Sequence, residues 1–125
     1  MIRFRATVTD VSDEARELVE GGVLILFAEG APPELAEVSV LHRVSVPPSI
    51  EAPPIGARLS LGAVSTPITA IGEYAWRKMS EIGHVVINFN DGAQAPRPGE
   101  ISAASIDLAA LAAALAPGMA IEIDG

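Results

Sequence analysis

Along the first nine residues Ile2, Phe4, Ala6 and Val8 alternate with Arg3, Arg5, Thr7 and Thr9. A period of two puts one set of side chains on each face of an extended chain, so this segment predicts a strand buried on one side only. Ser12 then stands where a helix over Asp13 to Glu20 would need a cap, acidic residues occupy its first turn, and Gly21-Gly22 ends it. Val23 to Phe27 is a short apolar run between turn signals, the pattern of a buried strand, and Glu29-Gly30-Ala31-Pro32-Pro33 turns the chain after it. From Val38 to Val46 the even positions read Val38, Val40, His42, Val44 and Val46. A continuous strand there places His42 on the apolar face.

Pro47-Pro48 and Pro53-Pro54 bracket a stretch from Ser49 to Ala52 that reads as a loop, because proline has no N–H to give to a sheet ladder. Arg58 to Leu61 and Thr66 to Ile71 form a predicted hairpin joined through Gly62 to Ser65. Glu73 to Ile82 is charged and amphipathic, with Gly83 placed to end a short helix. His84 to Phe89 returns to strand, Asn90-Asp91-Gly92 turns, and a loop continues to Gly99. Ile101 to Ile106 predicts a strand, Asp107 a cap for a helical turn through Leu111, and Met119 to Ile123 a last strand. Several short strands with minor helices point to a small closed or nearly closed β barrel, which leaves no exposed sheet edge. At 125 residues, with no repeat and no linker, one domain over 1–125 is expected.

Composition narrows the picture. Half the residues are apolar but only 4% are aromatic, so the core must be built from Val, Ile, Leu and Ala. A net charge of -8 disfavours nucleic acid, whose sequence-independent binding depends on cations displacing counterions, and favours a partner with a basic surface. The absence of cysteine removes disulfides, thiolate metal sites and thiol nucleophiles together. No apolar run approaches the roughly 18 residues of a membrane span, and the N-terminal alternation lacks a signal peptide's apolar core. A soluble protein that is not exported is expected.

The usual phosphate-loop, dinucleotide, zinc-protease and serine-hydrolase motifs are all missing. What remains is two histidines, His42 and His84, with no ligand spacing that calls for a metal. His42 interrupts a valine series with a group that needs a hydrogen-bond partner if buried, and is either structural or functional on pattern alone. Arg43 reads as a solvated charge or as a contact for an anion. Glu29 is sufficiently explained by its turn, and Trp76 and Met79 by packing.

Three segments carry more than pattern. Val23 to Pro32 runs through Glu34-Leu35-Ala36-Glu37 into Val40-Leu41-His42, Pro67 to Gly72 reads Pro-Ile-Thr-Ala-Ile-Gly, and Glu81 to Val85 reads Glu-Ile-Gly-His-Val. In order and spacing these resemble the glucitol/sorbitol-specific IIA components of the bacterial phosphotransferase system, and the resemblance extends over nearly the whole chain. It implies an antiparallel β barrel with one or two short helices and a cytoplasmic phosphocarrier, a phosphotransferase component that needs neither cofactor nor metal. His42 stands at the position that the family phosphorylates, and His84 becomes a candidate auxiliary that orients or contacts the phosphoryl group. The implied donor is the phosphohistidine carrier HPr, and the implied recipient is a cysteine of the cognate IIB component, which works with membrane-embedded IIC on glucitol/sorbitol or a related polyol. Because both partners must reach one nitrogen, His42 is expected in a shallow exposed depression where its strand bends, ends or opens. The segment after it departs from the family pattern, reading Arg43-Val44-Ser45-Val46 with no further histidine. A noncatalytic ligand- or protein-binding barrel, or a structural interaction module, are the competing readings.

Overall fold

The computed structural model describes residues 1–125 and contains eight strands and four short helices in chain order. The strands are β1 (Ile2–Val11), β2 (Val23–Ala28), β3 (Val40–Val46), β4 (Arg58–Leu61), β5 (Val64–Ile71), β6 (Val85–Phe89), β7 (Glu100–Ala103) and β8 (Ala120–Asp124). The helices are α1 (Asp13–Glu20), α2 (Pro33–Ala36), α3 (Ala75–Ile82) and α4 (Leu108–Ala114). The strands close into a barrel in the order β1-β3-β2-β6-β7-β5-β4-β8, with β8 paired back onto β1.

The expected barrel is therefore present, but its pairing is mixed. β2 with β3 and β6 with β7 run parallel, and every other neighbouring pair is antiparallel. Parallel neighbours cannot be joined by a tight hairpin. The two long connections at Glu29 to Ser39 and Asn90 to Gly99 serve that purpose, and the first contains α2, of which the sequence reading covered only Pro33, as the end of a turn.

The period-two residues fill the interior. Phe4, Ala6 and Val8 of β1 are buried with Leu24 and Leu26, Leu59 and Leu61, Val85 and Ile87, and Ile121 and Ile123. A small barrel has room for side chains and little else, which is why aliphatic residues suffice for this core.

The helices follow their caps. Ser12 Oγ accepts from the Ala15 N–H at 3.0 Å, and Asp107 Oδ1 accepts from the Ala110 N–H at 3.0 Å. Each satisfies one of the orphan donors of a helix start. Arg16 on α1 donates to the carbonyls of Ala112 and Leu115, so α1 closes the exposed C-terminal end of α4. α3 ends at Gly83, whose φ of 64° is left-handed, and this turn delivers the chain to the histidine site.

Candidate functional site

His42 lies in the middle of β3, opposite Val8 of β1 and beside Ala28 at the last parallel pairing with β2. The alternation of Val40 and His42 turns both inward, and the imidazole is 0% exposed. Phe4 meets it edge-on at 5.7 Å between ring centroids. The expected shallow, exposed depression is thus corrected: the ring is sealed inside the barrel wall. The physical reason is parity, since Val40 and His42 lie two residues apart on a regular stretch of β3 and share its core face.

The sheet nonetheless loosens around it. β1 carries a bulge between Val8 and Asp10, directly across from His42, so Thr9 is an extra residue there. β2 leaves β3 just past the same point, with the Glu29 N–H donating to the His42 carbonyl at 2.9 Å. Beyond His42 the strand projects, and Arg43, Val44 and Ser45 are all exposed. The expected irregularity is therefore found around His42 and not at it: β1 bulges at Thr9, β2 departs after Ala28, and β3 itself carries an extra residue at Ser45.

Gly83 covers the ring. His42 Nε2–H donates to the Gly83 carbonyl at 2.8 Å, because a carbonyl oxygen can only accept. The neutral tautomer then leaves the lone pair on Nδ1, which is buried and has no partner. A Cβ built on Gly83 would lie 2.8 Å from Ala28 Cβ and 3.2 Å from His42 Cε1. Only glycine allows both the left-handed turn and this close approach.

His84 follows immediately and has the opposite arrangement. Its Nδ1–H donates to the Leu26 carbonyl at 3.0 Å, and its ring stacks on Phe27 with centroids 4.8 Å apart and planes 29° from parallel. The side chain is half-buried, and Nε2 carries the lone pair with no protein partner and without being sealed. His42 thus bonds the carbonyl of the residue that precedes His84, with one lone pair enclosed and the other not sealed.

Burial holds both rings below the usual histidine value. For His42 desolvation dominates, opposed by the Gly83 carbonyl and the Glu29 charge. For His84 desolvation again leads, the Leu26 carbonyl opposes it and the Lys78 ammonium adds to it. Both are therefore neutral near pH 7, the state in which an imidazole nitrogen is a nucleophile.

Arg43 does not reach inward as an anion contact. Its guanidinium lies on the surface, paired with Glu29 through contacts of 3.0 and 3.4 Å. Trp76 and Met79 are packing residues, with Trp76 Nε1 donating to the Ser49 carbonyl. The sequence reading missed the Gly83 carbonyl, the Phe27 platform and the nearby Lys78. The Glu-Ile-Gly-His-Val segment contained the first of these, but a backbone carbonyl leaves no residue-type signal.

The largest surface depression, about 690 Å³, is lined by residues including Thr69, Ile71, Gly72, Arg97 and Pro98 and by neither histidine. No cluster of three or more His, Asp or Glu side chains is placed to hold a metal ion, and no helix is long and apolar enough to cross a membrane.

Comparison with known proteins adds to this geometry. The family model described as "PTS system glucitol/sorbitol-specific IIA component" matches residues 3–123. The glucitol/sorbitol-specific EIIA components of Shigella flexneri and of Escherichia coli strain K12 are each 32% identical over 101 residues, which is 81% of this chain and 80% of theirs. A solved PTS IIA component from Enterococcus faecalis V583 shares the fold, with a TM-score of 0.70 at 21% identity over 97% of this chain and 99% of its own. With the motifs around both histidines lying inside a match of this extent, the chain belongs to the family of phosphotransferase-system glucitol/sorbitol-specific IIA components.

Proposed function

We propose that this chain is a cytoplasmic phosphocarrier that accepts a phosphoryl group from the phosphohistidine of HPr onto His42 and passes it to a cysteine of the cognate IIB component. The observation that carries the reading is the hydrogen bond from His42 to the Gly83 carbonyl, which joins the motif around His42 to the Glu-Ile-Gly-His-Val segment in a chain of this family. Each transfer breaks one P–N bond; the first forms a P–N bond on His42 and the second a P–S bond on the IIB cysteine, so no water, metal or cofactor enters the balance. Positioning and local charge are the main demands of such a transfer.

Because His42 Nε2 is covered, transfer at that atom requires the Gly83 carbonyl to withdraw and the ring proton to shift from Nε2 to Nδ1, which has no partner. The cover is one hydrogen bond and one glycine turn, itself tied to α3 by the Gly83 N–H bond to the Met79 carbonyl. Its withdrawal leaves a buried imidazole N–H without a partner, a cost of about 1–3 kcal/mol, within the range of local opening. Ile82 is 47% exposed beside this turn, an apolar contact suited to a docking protein.

The test is onward transfer in a system reconstituted from phosphoenolpyruvate, enzyme I, HPr, this chain and IIB. Wild type should phosphorylate the IIB cysteine, and His42→Gln, which keeps an N–H for the Gly83 carbonyl, should not. Wild-type rates of IIB phosphorylation in His42→Gln would remove His42 from the role. Glucitol/sorbitol or a related polyol is the substrate class of the complete system, since a IIA component has no need to touch the sugar.

A further inference from the structure

His84 has a feature that the carrier reading alone does not use. The Leu26 carbonyl fixes its proton on Nδ1, so Nε2 offers a lone pair and no hydrogen. In this state it cannot donate to a phosphoryl oxygen, which is what a merely auxiliary histidine would have to do. It can, however, attack phosphorus.

We propose that His84 is a second phosphoryl-accepting residue, taking the group on Nε2 while the Gly83 carbonyl still covers His42. The biological role of this step rests on the phosphocarrier reading, while its chemistry rests on the tautomer, the accessibility of Nε2 and the way the ring is held. Phe27 stacked on one face and Leu26 bonded at Nδ1 fix the ring plane without occupying Nε2. A nucleophile held in this way needs little reorganisation before in-line attack.

The balance is simple. The Nε2 lone pair forms the new N–P bond as the bond from phosphorus to the donor nitrogen breaks, and the donor nitrogen keeps that electron pair. His84 retains its Nδ1–H, so the product ring is a cation that still donates this proton to the Leu26 carbonyl. Lys78, whose charge already acts on this ring, offsets part of the dianionic phosphoryl charge. His42 has no such route, since its lone pair on Nδ1 points into the sealed core.

Phosphoramidate, a small phosphorus–nitrogen donor that needs no docking partner, separates this proposal from the carrier reading. Wild type, His42→Gln and His84→Asn are incubated with it, and imidazole ¹⁵N and ³¹P spectra locate the phosphoryl group. The asparagine at 84 keeps an amide N–H for the Leu26 carbonyl and lacks a nucleophile, and amide spectra check that each variant is folded. The expected result is label on Nε2 of His84 in both wild type and His42→Gln, and its loss in His84→Asn. Label confined to His42 in wild type, or no label on His84 in folded His42→Gln, overturns the proposal and leaves the carrier reading intact. Conversely, labelling of His84 by phosphoramidate without any transfer from phospho-HPr upholds the nucleophile and sinks the carrier reading.

Discussion

At the residue scale, the site depends on Gly83 more than on any charged group. Its positive φ costs a residue with a Cβ of order 1 kcal/mol, and overpacking against Ala28 and His42 costs about 1–3 kcal/mol more. Gly83→Ala should therefore lower the urea midpoint at unchanged m-value and displace the His42 imidazole resonances. A wild-type midpoint with unmoved His42 signals would show that the turn tolerates a side chain and does not clamp the ring. Protonation supplies a second residue-scale expectation. Both histidines are held below 6.5 in the folded protein, so the unfolded chain binds more protons as the pH falls through that value. Stability should be level above about pH 6.5 and decline below it. His42→Gln should flatten that decline, measured by urea unfolding at a series of pH values, and an unchanged slope would show that burial of His42 is not linked to folding.

At the element scale, the caps and the register set what can be read in advance. α1 begins at Ser12 and α4 at Asp107 as their side chains predict, because a cap is a contact between residues three apart. Ser12→Ala should cost about 1 kcal/mol in urea unfolding. Strand positions and the inward face of His42 were likewise legible, since alternation is a local property. The parallel junctions were not, because pairing partners such as Leu26 with Val40 and Asn88 with Ser102 are far apart in sequence and leave no local mark. The same limit explains the site. His42 and His84 could each be singled out, but the bond from His42 to the carbonyl of the residue before His84 depends on the closure of β2 against both β3 and β6. Burial of His42 follows from its valine neighbours, and the expectation of exposure came from what a carrier must do, not from the strand.

At the scale of the whole molecule, the barrel holds the two rings in fixed relation while leaving their cover on a short turn between α3 and β6. The chain carries a net charge of -8, so docking of a partner with basic residues should be steered by charge. Phosphoryl transfer from HPr should slow as salt rises from low to physiological strength, through the association rate. Salt-independent second-order rates would assign docking to apolar contacts such as Ile82 instead. Ile82→Ser should raise the apparent KM for phospho-HPr with little change in kcat, since it sits beside the reacting groups and not among them.

The most direct test maps the phosphoryl group on the unaltered protein. Wild type is charged with phosphoenolpyruvate, enzyme I and HPr, kept alkaline to preserve the acid-labile bond, and sequenced by mass spectrometry. Phosphate is expected on His42, with His84 carrying the remainder. A protein that stays unphosphorylated, or that carries no phosphate on His42, contradicts the assignment.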